Sequence, residues 1–395
     1  MAPSDGSARP EGAAPTSGLA DLPPLSVAGR VELVREALRS HGCDALVVTS
    51  LTNVRWLTGF TGSHGAVLVG PDEAVLATDS RYTTQAPGEL ERAGSPARVV
   101  IANDLVAGLA EIMATEWLTA LEDSVEWGTQ RRWADERAGR DSGTPAPPTG
   151  GLVPVTELIE ELRAVKTAPE IERIQAAASV VDGALEEVAW MLRAGTSERG
   201  LALALDDAMR ARGASGPAYE TIVASGPNAA LPHAQPTDRV LGEGDLVIID
   251  AGAVVDGYRS DMTRTFVIGE PSAQAREMLD VVTRSQAAGV AGVDPGAEAG
   301  VIDDLCREVI DAARMGDAFI HGTGHGVGLD VHELPRVRKG STAILRPGHV
   351  LTVEPGVYYP GVGGVRVEDT VVVTEDGCRA LTRFPKFPEF PEAPR

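Results

Sequence analysis

In the C-terminal half of the chain, single acidic residues interrupt or close apolar runs that read as strands. Asp250 ends LVIID, Asp261 lies in RSDMTRTF, Glu354 follows VLTV and Glu368 sits inside VRVEDTVVV. A carboxylate at a strand end ordinarily faces water or caps a turn, and each of these taken alone reads that way. As a group they do not, because a buried charge is tolerated only when it is paired or bound to metal. Arg366 and Glu368 lie two apart, so on a continuous strand over Val365–Val373 they share one face, which the surrounding valines turn inward. Two divalent cations would balance the four carboxylates, with a bridging hydroxide as exchangeable ligand. The imidazole partner is His325, whose flanking glycines in TGHGVG let a ligand and the backbone approach closely. Oxygen-rich ligation with one imidazole suits manganese first, with cobalt, iron or zinc as alternatives, and does not look like a structural zinc site. Two such ions about 3.5–4 Å apart activate water against a carbonyl or phosphoryl centre, and a carboxylate touching that water can shuttle its proton.

Around these five lie further polar residues. His321 and His332 flank His325, and His233 falls in the loop SGPNAALPHAQP. His321 and His332 are placed to donate hydrogen bonds to a substrate carbonyl, although His321 could equally satisfy buried backbone, and the Pro- and Gly-rich loop suits His233 to a cleft wall. Arg366 could orient Glu368, Tyr258 could do the same for Asp261, and Asp330 could orient an imidazole. His41, His64 and His349 read as ordinary helix-end, turn and loop residues.

A chain of 395 residues exceeds one typical core and implies two domains. The net charge of −22 argues against a nucleic acid partner, and no apolar run has the length of a membrane span. Cys43, Cys306 and Cys378 form no disulfide or zinc pattern, and Cys306 lies on the apolar stripe of a helix. Residues 1–24 read as a disordered tail without a signal-peptide pattern, so a reducing cytoplasm is expected. Residues 25–163 alternate short strands and helices, the mark of an α/β layer, and end in an exposed Pro/Gly-rich loop over residues 138–151. A capping box at Thr167 and Glu170, with Pro169 in the first turn, opens a long helix, which puts the second domain at 164–395. Its helices (198–212, 273–290, 299–313) and long strands lack a regular βαβ rhythm and read as α+β.

The order Asp250, Asp261, His325, Glu354, Glu368, with its local sequences, closely resembles the ligand order of the pita-bread metallopeptidases, the creatinase/aminopeptidase P/prolidase family. The resemblance spans about residues 25–385 and is nearest to bacterial Xaa-Pro aminopeptidases, whose N-terminal domain NVRWLTGFTGSHG and TDSRYTTQA are similar to. It implies a pita-bread catalytic domain after a creatinase-like α/β domain, a homodimer, and hydrolysis of the bond between an N-terminal residue and proline. By the same resemblance Asp261 and Glu368 bridge two metals, Asp250 holds one and His325 and Glu354 the other. Glu354 would move the proton, with His233, His321, His332 and Arg366 about the substrate. The rival activity is Xaa-Pro dipeptidase; a non-peptidase metal-binding relative and a phosphohydrolase rank lower.

Overall fold

The computed structural model describes residue 19, residues 21–138 and residues 151–386. Most of the expected N-terminal tail and nearly all of the Pro/Gly-rich loop lie outside the described residues. The first unit is a six-stranded sheet of β1 (Ala45–Val48), β2 (Gly65–Val69), β3 (Ala74–Thr78), β4 (Arg98–Ile101), β5 (Thr119–Glu122) and β6 (Leu152–Val155), in the order β4-β3-β2-β1-β5-β6. Only β2 runs antiparallel to its neighbours. Strands β1, β2, β3 and β5 are buried along their whole length, as expected of a sheet covered on both faces. The helices that flank these strands are α1 (Arg30–Ser40), α2 (Leu51–Thr58), α3 (Gln85–Ala93), α4 (Leu105–Ala110), α5 (Trp127–Ala138) and α6 (Leu158–Ala164).

Helix α7 (Ala168–Val188) opens the second unit. Its capping box forms, with the Glu170 carboxylate 2.7 Å from the Thr167 backbone nitrogen. Ile174, Ala178, Val181, Leu185 and Val188 are buried along one stripe. Helices α8 (Glu198–Ala211), α9 (Ala273–Ala291) and α10 (Ala299–Ala312) follow the sequence expectation to within a residue, and Cys306 is fully buried on α10. This is an α+β unit. One core cluster runs from Val34, Leu46 and Trp56 of the first unit to Ile174, Val327 and Val372 of the second, so the two share apolar packing.

Three sheets position the site. Strands β7 (Gly216–Pro217), β10 (Ala253–Val255) and β11 (Tyr258–Arg259) form the smallest, and β8 (Ile222–Ser225), β9 (Leu246–Ala251) and β12 (Met262–Val267) the second. The third is five-stranded, β14-β13-β15-β18-β19, built from β13 (Gly324–Gly326), β14 (Glu333–Val337), β15 (Val350–Val353), β18 (Asp369–Thr374) and β19 (Gly377–Ala380). A separate hairpin joins β16 (Gly356–Tyr359) to β17 (Gly363–Arg366). The expected strand over Val365–Val373 is therefore two strands. β17 pairs with β16 and ends at Arg366, Val367 and Glu368 cross over, and β18 pairs with β15 and β19. The valine pattern is continuous because both halves are buried; it carries no sign of the change of partner.

Candidate metal centre

Strand register brings the carboxylates together. In the β9–β12 pair, Thr263 lies opposite Asp250 and Met262 opposite Ala251, so Asp261, one residue before β12, arrives beside Asp250. In the β15–β18 pair, Val353 lies opposite Asp369, so Glu354 just after one strand and Glu368 just before the other share a sheet end. β13 places His325 beside β15, where its backbone N–H meets Thr352 Oγ1 at 3.1 Å. The two sheets are stitched across the site. Thr263 Oγ1 donates to Glu368 Oε2 (2.6 Å), Glu368 N–H to Thr263 O (3.1 Å), and Thr370 Oγ1 to the Asp261 carbonyl (2.7 Å). The glycines around His325 serve strand packing rather than ligand access: a Cβ on Gly324 would meet Thr352 O at 2.1 Å, and one on Gly326 would meet Leu334 O at 2.1 Å.

All nine site residues expected from the sequence line one cavity of about 660 Å³: Asp250, Asp261, His325, Glu354, Glu368, His233, His321, His332 and Arg366. Ligand atoms of Asp261, His325 and Glu368 lie within 4.8 Å of one another. His325 Nε2 is 3.6 Å from Asp261 Oδ2 and 3.4 Å from Glu354 Oε1. Burial pushes the His325 imidazolium down to about 4, so the ring is neutral. With Gly326 O taking the Nδ1 proton (3.0 Å), the Nε2 lone pair is left to face the carboxylates. Burial first, then neighbouring negative charge, pushes the carboxyls of Asp261, Glu354 and Glu368 well above their usual range. Glu368 is 1% exposed, and its Oε1 is buried without a hydrogen-bond partner. An orphaned buried carboxylate oxygen beside two more acids and a neutral imidazole is a donor set that fits a divalent cation.

Asp250 is arranged differently. Its Oδ2 takes a 2.6 Å bond from Arg366 Nη2 and its Oδ1 a 2.6 Å bond from the Tyr219 hydroxyl, which also reaches Asp261 Oδ1. Three sequence-based roles change here. Arg366 orients Asp250 rather than Glu368, because its guanidinium projects from the end of β17 toward β9, bonding Thr263 Oγ1, Tyr358 Oη and Pro232 O on the way. Tyr258 donates to Glu170 Oε1 at 2.7 Å, in the inter-unit contact with Arg30, because β11 lies beside α7 rather than at the site. Asp330 pairs with Arg163 (2.8 Å) and Thr52 (3.0 Å) instead of an imidazole. His321 uses both ring nitrogens: Nδ1 meets Gly322 O at 2.8 Å and Nε2 meets the Tyr358 hydroxyl at 3.0 Å. Since Tyr358 also accepts from Arg366, the chain Arg366–Tyr358–His321–Gly322 is closed, and it favours a positioning role for His321. His233 and His332 are exposed on the cavity wall, with the His332 ring edge-on to His325 at 4.3 Å.

Tyr219 was not legible in the sequence; it lies in GPAYETI with no spacing relation to the acids. Its hydroxyl, with one proton to give, stands between one oxygen of each of the two acids and so orients the pair. Tyr219→Phe is expected to weaken divalent-metal affinity by about 10-fold or more while leaving the fold intact, measured by competition with a chelating dye.

Residues 172–375 match metallopeptidase family M24, and residues 30–165 match the creatinase/prolidase N-terminal domain. The Xaa-Pro dipeptidase of Pyrococcus furiosus is 33% identical over 355 residues, which is 90% of this chain and 97% of that one. The structure of the Xaa-Pro dipeptidase from Bacillus anthracis superposes with a TM-score of 0.84 at 34% identity, covering 91% of this chain and 99% of that one. The X-Pro aminopeptidase structure from Thermotoga maritima gives 0.77 at 33%, with 89% and 98% covered. The chain belongs to the M24 metallopeptidases. It has their two-domain form, a creatinase-type N-terminal domain followed by the pita-bread catalytic domain, and it is a hydrolase. Among the described residues no helix is long and apolar enough to cross a membrane.

Proposed function

We propose that this protein is a dinuclear metal-dependent Xaa-Pro dipeptidase, with Asp250, Asp261, His325, Glu354 and Glu368 as the ligands. The observation that carries the peptidase reading is the convergence of these five side chains on one cavity. Divalent cations held there supply a nucleophile from water near neutral pH and stabilise the charge that develops on the scissile carbonyl oxygen. The rest falls to this chain's own groups. Glu354, at the cavity floor with its proton affinity raised, takes the proton of the attacking water and passes it to the proline nitrogen, which has no N–H of its own. His233 and His332 on the wall donate to the substrate carbonyl oxygens. Arg366 and Tyr219 hold Asp250 in place.

The sequence resemblance puts aminopeptidase ahead of dipeptidase. The dipeptidase side is supported by relatives of that name that cover 90% and 91% of this chain, and by Arg338. Arg338 lines the cavity, and a Cβ on Gly322 would stand 3.0 Å from its own Cβ, beside His321. Its neighbour Arg336 is paired with Glu157; the Arg338 guanidinium has no hydrogen bond or ion pair among the described residues, only its carbonyl accepting from Ser341 N–H. A carboxylate placed immediately after proline would meet this guanidinium. The aminopeptidase reading keeps the similarity to the Thermotoga maritima enzyme in its favour.

The test is hydrolysis of an X-Pro dipeptide beside an X-Pro-Y tripeptide by manganese-loaded protein. The dipeptide is expected to be the better substrate, and cleavage of the tripeptide alone would establish the aminopeptidase instead. Arg338→Ala should raise KM for the dipeptide by about 10-fold, the worth of one charge-assisted contact, with kcat and metal content little changed.

A further inference from the structure

The loop that carries His233 is closed at its neck by a single buried carboxylate. β8 ends at Ser225, the chain runs out through Gly226–Ala230 and His233, and it returns at Thr237 to lie against the start of α8. Glu198, the first residue of α8, is fully buried between the two ends. Its Oε1 accepts Ser225 N–H (2.7 Å) and Ser225 Oγ (2.6 Å); its Oε2 accepts Thr237 N–H (3.0 Å) and Thr237 Oγ1 (2.5 Å). Asn228 Nδ2 spans both oxygens at 3.1 Å. These donors outweigh burial and hold the carboxyl below its usual value. The backbone adds a second stitch, Glu198 N–H to Arg239 O (3.0 Å) and Arg199 N–H to Thr237 O (2.9 Å). Arg239 in turn bonds Ser225 Oγ (2.5 Å) and Asp245 (2.6 Å). Beyond the neck Ala229 and Ala234 pack with Ile248 and Tyr358, Gln235 bonds Glu220, and Pro232 O meets Arg366 at 3.2 Å.

A turn cap needs one acceptor for one or two donors. Here a carboxylate takes donors from both ends of a compact loop of the Ω type, and the loop projects an exposed imidazole into the catalytic cavity. We propose that Glu198 is a positioning residue for His233: it sets the neck of the 225–237 loop and thereby where the imidazole stands relative to substrate. The proposal rests on the reading of His233 as a substrate-contacting group. Ser225 also ends β8, which pairs with β9 and Asp250, so unchanged metal content is what separates an effect through this loop from one through the ligands.

A double-mutant cycle on the manganese-loaded full chain tests it. Glu198→Gln should cut kcat/KM for an X-Pro substrate by about 10- to 100-fold, the range for stranding buried donors, with metal per chain unchanged. In a His233→Ala background the same substitution should cost less than about 2-fold, because the group it positions is gone. An equal loss in both backgrounds, or no loss in either, overturns the proposal. Should Glu198→Gln fail to fold, Thr237→Val, which removes one hydroxyl donor to Glu198 and its weaker bonds from Arg239 N–H and Asn228 while leaving the carboxylate in place, enters the same cycle with the same criterion. Amide exchange separates this proposal from the function it rests on. At Leu231 and Ala234, on either side of His233, exchange should quicken at least 10-fold in the variant even if the protein hydrolyses neither substrate; unchanged exchange there overturns the clamp itself.

Discussion

Asp261→Asn is expected to leave a folded protein that binds little metal and hydrolyses X-Pro peptides at about one-thousandth of the wild-type rate or less. The substitution keeps the size of the side chain and the bond from Tyr219, and removes one negative charge between Asp250, His325 and Glu354. Metal polarisation of a carbonyl supplies several kcal/mol, and each 1.36 kcal/mol is tenfold in rate, so losing the ion costs about three decades. Stability should move the other way in the absence of metal. The buried carboxyls of Asp261, Glu354 and Glu368 repel one another, and neutralising one relieves the group. Chelation should therefore lower the Tm of the wild type, which loses the stabilisation of a bound ligand, and leave the Tm of Asp261→Asn nearly unchanged. The measurements are metal per chain after dialysis, kcat/KM, and thermal unfolding with and without chelator. Full metal occupancy with an undiminished rate would remove Asp261 from the site.

The acids were legible because burying a charge is costly: carboxylates set in valine-rich runs announce either an edge or a site, and four of them with one imidazole left little choice. Helix α7 was legible from local chemistry alone, since Thr167, Pro169 and Glu170 act within one turn. What local pattern does not carry is the partner of a long side chain. Arg366 and Glu368 look like neighbours on a strand, yet the chain changes sheets between them and sends the guanidinium to Asp250, 116 positions away in sequence. Tyr258 lies three residues from Asp261 and turns instead to Glu170 on α7. Tyr219 carries no signal at all, because a tyrosine in a loop reads as an ordinary aromatic until two carboxylates are brought to its hydroxyl. The same holds across the domains. Nothing in ELRAVK marks Arg163 as the residue that reaches Glu333.

That last contact supports a second large effect. Glu333 follows His332 directly and is 3% exposed, between Arg163 Nη2 (2.6 Å) and Lys166 Nζ (2.9 Å), themselves 3% and 2% exposed. Arg163 also holds Asn53 of the N-terminal domain, which in turn bonds Glu122. Glu333→Gln would leave two buried cations facing one half-exposed acid, Asp330. Breaking a buried pair by removing one partner costs about 3–5 kcal/mol, a fall in Tm on the order of 10 °C at roughly 2–4 °C per kcal/mol. Burial raises the Glu333 carboxyl, but Lys166 and Arg163 more than offset it and hold it at about 2, against an ordinary 4.5. A folded-state value below the unfolded one contributes stability that is fully present above 4.5 and is lost as pH falls from there toward 2. Wild-type Tm should thus drop steeply across that window while Glu333→Gln, which has already lost the charge, changes less, and the two curves should converge in acid. Parallel curves would mean that the charge of Glu333 contributes nothing. Lys166→Met added to Glu333→Gln should recover part of the loss, since it removes one of the stranded cations. The same double variant should remain slow on X-Pro substrates, because stability restored without the Glu333–Arg163 contact does not return the His332 loop to its place against the N-terminal domain.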